Sequence, residues 1–321
     1  MNPRTAPVRS DIVLVGGGHA HVSVLKRFGM RPTPGARITL IARDIMTPYS
    51  GMLPGFVAGH YDRDTCHIDL GPLARFANAR LIHGEAVGID LERQRVRLAD
   101  RPPIDYDFLS IDIGSRPKQT DVPGSDRYAI PVKPIDRFIG HWEDLRMRVT
   151  ADHRPMRIGV VGGGAGGVEL LLAMRYRLRQ ELAAYADAPA RLTFVLVAKS
   201  NVLESHPLKV RRAFEKTLSA DDIEVHPHSE VIRVEPGRLI LADQRTVALD
   251  EILWVTQAST APWLRESGLA CDDGGFVRVR ETLQTITADN IFAAGDCAAV
   301  DAHPRPRAGV FAVRQGPPLA T

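Results

Sequence analysis

One pattern occurs twice in this chain, and it limits the fold more than anything else in the sequence. Ile12-Val-Leu-Val-Gly-Gly-Gly-His-Ala-His-Val22 aligns without a gap on Ile158-Gly-Val-Val-Gly-Gly-Gly-Ala-Gly-Gly-Val168. In each copy a short β-branched run meets three glycines, and an apolar helical pattern follows. That order predicts a buried parallel strand, a tight turn and a helix. Gly16 and Gly162, which open the two turns, lie about one domain length apart. The 321 residues are therefore read as two nucleotide-binding domains of similar build.

The glycines have separate tasks in such a turn. The first permits the sharp bend, the second lets backbone approach a pyrophosphate, and the third lets the helix pack close to its strand. Phosphates then sit at the helix N-terminus, where free N–H groups and the helix dipole favour negative charge. Gly162, Gly164 and Gly167 meet the full GxGxxG spacing, whereas the first copy has Gly16, Gly18 and then His21. A ring at that third position predicts a wider strand–helix contact or a displaced helix start. An acid that binds ribose hydroxyls usually follows the second strand of such a domain. Here Ala42-Arg43 holds that place in the first domain, with Asp44 slightly late, and Ala198-Lys199 holds it in the second. A missing acid beside a cation is what a 2′-phosphate favours, so Lys199 points to tolerance of, or preference for, NADPH. A solvated lysine after a strand is the competing reading.

Composition removes other classes of function. With 44% hydrophobic and 25% charged residues the chain is an ordinary globular protein, and its length can bury a core without disulfides or metal. Lys and Arg total 41 against 38 Asp and Glu, which gives no global field for gathering nucleic acid. Cys66, Cys271 and Cys297 form no CxxC or CxxxxC pair, so a dithiol redox motif is absent and the thiols fit a reducing cytoplasm. No secretory signal opens the chain. The most apolar window, Ile158 to Met174, holds glycines and Glu169 where a strand turns into a helix, and is not a membrane span. Peripheral attachment to the inner face of a membrane stays open. His19 and His21 diverge on a helix, so no metal site is expected.

A third element completes the pattern. Asn290-Ile-Phe-Ala-Ala-Gly-Asp-Cys-Ala298 reads as a strand entering Gly-Asp, and a loop and helix start follow over Arg305 to Gly316. Together with GGGHAH and VVGGGAGGVEL, this FAAGDC segment resembles the FAD-dependent pyridine nucleotide-disulfide oxidoreductase superfamily, nearest its type II NADH dehydrogenase-like flavoproteins. Thr47-Pro-Tyr-Ser-Gly-Met-Leu-Pro-Gly55, Cys66-His-Ile-Asp-Leu70 and Arg307-Ala-Gly-Val-Phe-Ala-Val-Arg-Gln-Gly-Pro317 look like the branch fused or adjacent to selenide, water dikinase. The resemblance implies an α/β fold of two doubly wound dinucleotide-binding domains in a glutathione reductase-like arrangement. An FAD domain would comprise 1–115 and 285–321, a linker 116–152, and an NAD(P)H domain with bridging strands 153–284.

By the same resemblance FAD would lie against Gly16, Gly17, Gly18, His19, Ala20, Arg43, Pro48, Gly114, Gly295, Asp296, Gly309 and Val310. Asp296 would hydrogen-bond the flavin ribitol. NADH or NADPH would lie against Gly162, Gly164, Gly167 and Lys199, with Glu169 as the catalytic candidate near the nicotinamide–flavin junction. A first-turn acid that stabilises the helix dipole is the plain alternative for Glu169.

Hydride would pass from nicotinamide to flavin, and electrons to a small-molecule acceptor, either a quinone or a sulfur or selenium species. Three departures bear on this. Val255-Thr-Gln-Ala258 replaces the usual Ala-Thr-Gly exit, so Gln257 stands for a glycine. Of two glutamines that quinone-reducing members present, Val310 replaces one and Gln315 keeps the other. Thr321 falls inside the last helix, where the family usually continues, so the chain reads as truncated or minimal and its flavin as weakly retained. A flavin-poor, non-catalytic binding or regulatory module of the same fold is therefore carried as the alternative. Cys297 follows Asp296 without an evident partner thiol, and reads as a small buried side chain rather than a nucleophile.

Overall fold

The computed structural model describes residues 7–117, 122–152, 154–183, 191–255, 258–304 and 309–321. They divide into two compact units. The first comprises Met1–Gly51, Asp64–Arg116 and Ala258–Thr321, and the second Met52–Arg63 and Pro117–Gln257.

The strands of the two larger sheets are β1 Ser10–Val15, β2 Ala36–Ala42, β3 Arg80–His83, β4 Phe108–Ile111, β5 Ile130–Pro131, β6 Met156–Val161, β7 Leu192–Val197, β8 Glu224–His226, β9 Glu251–Trp254 and β10 Ile291–Ala293. The first unit's sheet has the order β10-β4-β1-β2-β3, and the second unit's has β5-β9-β6-β7-β8. Every pairing in both is parallel. In each sheet the strand before the glycines, β1 or β6, lies between the next strand of its domain and the late exit strand, β4 or β9. Strand order reverses there, and a doubly wound sheet binds its ligand at the carboxyl ends of such strands.

Five helices matter to the site: α1 His19–Met30, α2 Leu70–Phe76, α3 Ile135–Ala151, α4 Ala165–Glu181 and α5 Gly309–Leu319. Sheet residues alternate between two cores, as a pleated strand buried on both faces requires. Leu14, Ile38 and Leu40 pack with Val24 and Leu25 of α1 and Leu70 of α2. Val13, Val15, Leu109 and Ile111 pack on the opposite face with Ala86, Ile89, Val96 and Leu98 from a three-stranded antiparallel meander. The second unit repeats the plan. Ile158, Val160, Phe194 and Leu196 face α3 and α4, while Val161, Val195 and Val197 face a meander bearing Val231, Leu239 and Val247.

The units change over at Gln257, whereas the sequence reading draws a boundary at 284. Burial is the reason. Leu264, Leu269, Val277 and Val279 enter the core of Val13 and Leu109, and Val277–Val279 pairs with Ala298–Val300. The stretch read as a linker carries α3, whose Phe138, Ile139, Trp142 and Leu145 are at most 1% exposed in the second unit's core. Leu53, Val57 and Ala58 belong to that same core.

Candidate functional site

The two glycine turns share one backbone geometry. Gly16 N donates to Ile41 O at 2.8 Å, and Gly162 N donates to Val197 O at 2.9 Å. The exit strands close on the turns through Asp112 N to Val15 O and Val255 N to Val161 O, both 2.8 Å. Gly16 has φ +99° and Gly162 φ +138°. A Cβ on Gly16 would meet Asp112 O at 2.2 Å, and one on Gly162 would meet Val255 O at 2.1 Å. No side chain fits at either position, which is the physical content of the spacing that the two copies share.

The third position separates the copies. At Gly167 a Cβ would stand 2.0 Å from Gly162 O, so α4 sits directly on its turn. In the first copy His21 fills this place and is fully buried. Its Nδ1 is 2.7 Å from Gly16 O and its Nε2 is 2.8 Å from Ser110 Oγ. A carbonyl only accepts, so Nδ1 carries the proton; Nε2 of the neutral ring then accepts from the Ser110 hydroxyl. Burial pushes the His21 pKa down to about 4, opposed by the Gly16 hydrogen bond. Both helices begin three residues after the first glycine, at His19 and at Ala165. The helix start is thus not displaced, and the turn accommodates a buried ring where the second copy has a glycine.

Asp112 is a buried anchor of the first turn that the sequence reading missed. Its carboxylate accepts from Ala20 N at 2.9 Å and His21 N at 3.2 Å, and so caps α1 from 92 residues away. Gly18 and Gly295 both leave room for it, since a Cβ on either would lie within 2.4 Å of the carboxylate. Burial pushes its pKa up to about 7; the His21 and Ala20 N–H bonds oppose this and Asp296 adds to it. Nothing local in the segment Asp112-Ile-Gly-Ser115 marks the target of this acid.

The other first-unit candidates gather around this turn. Gly17 has Leu70 against it, with Leu70 Cδ1 2.4 Å from where a Cβ would stand. The His19 ring lies over Tyr49 at 4.4 Å, and burial lowers its pKa. Gly114 has φ +68° with open space around it. Gly295 N donates to Gln315 Oε1 at 2.7 Å, which anchors α5 to the Gly-Asp turn, and Ser115 Oγ donates to Asp296 at 3.2 Å. Gly309 opens α5, where a Cβ would stand 2.7 Å from Tyr49. Two candidates stand further out on the surface. Arg43 pairs with Asp44 at 2.7 Å, and Val310 is 44% exposed. Pro48 lies in a short strand and pairs with His67.

Cys297 is fully buried, its thiol 3.1 Å from Ala294 O. Burial, then the charges of Asp112 and Asp296, push its pKa far up, so it carries no thiolate for chemistry. Cys66 is also buried.

In the second unit Gly164 caps α4 with no side-chain hydrogen bond, and a Cβ there would meet nothing within 4 Å. Space and an uncapped helix end fit a phosphate at this turn. A Cβ on Gly163 would stand 2.5 Å from Ala198 Cβ, and Leu203 N donates to Gly163 O at 2.8 Å. Lys199 Nζ pairs with Glu230 at 2.6 Å in solvent. Glu169 is exposed on α4 just beyond its first turn, which carries no acid, so the first-turn dipole reading does not hold. Gln257 lies outside the described residues. Trp254 and Trp263 are both buried, each in its own unit's core. Among the described residues no helix is long and apolar enough to cross a membrane.

The chain is similar in sequence and in fold to known proteins. The chain is 23% identical over 295 residues to the NADH dehydrogenase-like protein YutJ of Bacillus subtilis, covering 90% of this chain and 77% of that one. It is 24% identical to the type II NADH:quinone oxidoreductase of Haemophilus influenzae, covering 90% and 74%. Among solved structures, NDH2 of Plasmodium falciparum in complex with NADH superposes with a TM-score of 0.80 at 18% identity, over 91% of this chain and 65% of that one. The family model described as pyridine nucleotide-disulphide oxidoreductase spans residues 10–316, from β1 into α5. With both glycine turns, both exit strands and the late Gly-Asp turn inside that span, the chain belongs to the pyridine nucleotide-disulphide oxidoreductase family.

Proposed function

We propose that the protein is an FAD-dependent NAD(P)H oxidoreductase, with FAD on the first glycine turn, NADH or NADPH on the second, and a small-molecule electron acceptor. One observation carries this reading: two glycine turns of matching geometry, each pressed onto its exit strand where its sheet reverses order. When bound, FAD supplies the hydride-accepting and electron-passing chemistry.

The chain's own residues would bind and orient. Gly17, Gly18 and His19 offer backbone to the FAD diphosphate, and Gly295 and Asp296 offer theirs to the ribitol. Ala20 N is already engaged by Asp112, so that acid positions the helix end rather than the phosphate. Gly114 and Gly309 allow close approach, and Arg43, Pro48 and Val310 would border the cofactor. Gly162, Gly164 and Gly167 would hold the second diphosphate, with Lys199 at the ribose end. Glu169 is kept as the catalytic candidate on α4; replacing it with Gln should slow flavin reduction without altering nucleotide affinity.

The acceptor of this chain is proposed as a quinone on the names of its relatives, which include a NADH:quinone oxidoreductase. Gln315 holds its carbonyl oxygen on Gly295 N, which leaves its amide N–H2 as the donor a quinone oxygen would need, whereas the Val310 side chain offers no hydrogen bond. A sulfur or selenium acceptor, and a partnership with selenide, water dikinase, rest on the sequence segments alone. Attachment to a membrane surface belongs to the quinone reading.

An absorption spectrum of the purified protein, before and after anaerobic NADH and then NADPH, tests the proposal. A flavin spectrum that bleaches supports it and names the donor. A colourless protein that cannot be reconstituted with FAD sinks it, and favours the flavin-poor binding module.

A further inference from the structure

The second unit lacks an acid at the end of β7, where Ala198 and Lys199 stand. The fold brings one there from another segment. Ala198 N donates to His226 O at 2.9 Å, Ser229 N donates to Ala198 O at 2.8 Å, and His228 N donates to Ser200 O at 3.3 Å. The stretch after β8 therefore runs beside residues 198–200, and it sets the Glu230 carboxylate 2.6 Å from Lys199 Nζ. The end of β7 is itself packed on the glycine turn, through Ala198 against Gly163.

We infer that Glu230 supplies the missing ribose-binding acid and sets the choice between NADH and NADPH. Lys199 alone would attract a 2′-phosphate. Paired with Glu230 its charge is offset, and the carboxylate accepts from a 2′-hydroxyl while repelling a 2′-phosphate. Both side chains are well exposed, 75% and 49%, so the pair is weak and can open to meet a ribose.

Other charges near this turn do not take the role. Glu204 is the other acid near this turn; it accepts from Asn201 Nδ2 at 3.5 Å, and the Ser200 hydroxyl, then Asn201, Arg211 and His228, hold its pKa down against burial, so its partners differ from the Lys199 that Glu230 meets. Arg245 pairs with Asp243 at 2.6 Å and only approaches Ser229 Oγ, at 3.5 Å.

The inference rests on the second turn holding a nicotinamide dinucleotide, and its test separates the two ideas. Full-length, FAD-supplemented protein would be titrated calorimetrically with 5′-AMP and with 2′,5′-ADP, which carry no nicotinamide and permit no turnover. Glu230→Gln should raise affinity for 2′,5′-ADP relative to 5′-AMP by about fivefold, the size of one solvent-exposed charge interaction. Adding Lys199→Met to Glu230→Gln should erase that gain, and Glu204→Gln should leave the ratio as in the wild type. A Glu230→Gln ratio equal to the wild type overturns the role of Glu230 while the dinucleotide reading stands. Folded wild type that binds neither nucleotide overturns both. Circular dichroism of each variant identifies any that fails to fold; charge reversal at the same exposed site, Glu230→Lys, would then carry the test.

Discussion

Asp112 and His21 share one buried network at the first turn, and the same burial drives their protons in opposite directions. Folding raises the Asp112 pKa from 3.8 to about 7 and lowers the His21 pKa from 6.5 to about 4. Taken alone, Asp112 holds a proton in the folded chain that the unfolded chain has lost, so its contribution to stability falls as pH rises from 4 to 7. His21 alone does the reverse: the unfolded chain holds the extra proton, and stability rises as pH climbs from 4 to 6.5. Together they bind one proton in either state across that window, and the slopes cancel. Urea denaturation of the wild type should therefore show no slope from this pair between about pH 4.5 and 6.5. Asp112→Asn should gain stability with rising pH, and His21→Gln should lose it, each by an amount on the order of 3 kcal/mol across the window. Parallel slopes in all three proteins would show that the two groups do not exchange a proton on folding. Sequence alone shows His21 as an oddity in a glycine motif. It cannot show the partners, because Ser110 and Asp112 reach it only through the parallel register of β4 on β1, Leu14 opposite Ser110.

The strand–turn–helix elements are the most legible part of the chain, since their signal is local: a β-branched run, glycines, and an apolar helix. How tightly each helix sits on its turn is a matter of one position. Gly167→Ala would put a Cβ 2.0 Å from the Gly162 carbonyl, which forces α4 off its strand. The expected cost is about 1–3 kcal/mol of stability, with binding of NADH weakened more than the stability loss explains. In α1 the sign of the preference is reversed. His21→Gly leaves a cavity and strips partners from Gly16 O and Ser110 Oγ, costing about 2–4 kcal/mol, although it restores the glycine motif. Thermal melts of both variants decide this, and a His21→Gly protein as stable as the wild type would deny the ring its structural role. By contrast α3 falls in the stretch 116–152 that the resemblance assigns to a linker. Pro131 and Pro134 punctuate its approach, yet Pro134 is the residue that caps the helix, and the stripe Phe138, Ile139, Trp142, Leu145 and Val149 carries its apolar face. Trp142→Ala should cost about 3–5 kcal/mol, a loss that no linker residue would produce.

At the scale of the whole chain, duplication was legible and the exchange of segments was not. Met52–Arg63 and residues 258–284 each lie in sequence beside one unit and pack in the core of the other. Only the identity of the core they bury in assigns them, and that information is spread over both sheets. Each glycine turn, however, is built entirely from its own unit: Gly16 closes on Asp112, and Gly162 on Val255. Matching substitutions at the two turns should therefore have unlike effects. Gly16→Val, at φ +99° and 2.2 Å from a carbonyl, should yield a colourless protein that still binds 5′-AMP. Gly162→Val, at φ +138° and 2.1 Å from a carbonyl, should stay yellow and be bleached by dithionite but not by NADH or NADPH. Flavin content per chain, the two bleaching experiments and a 5′-AMP titration together read the pair. If Gly162→Val loses its flavin while Gly16→Val keeps it, the cofactors have been assigned to the wrong turns. If both variants lose flavin and both fail to bind 5′-AMP, the turns do not act as separate nucleotide sites, and duplication of fold would not be duplication of function.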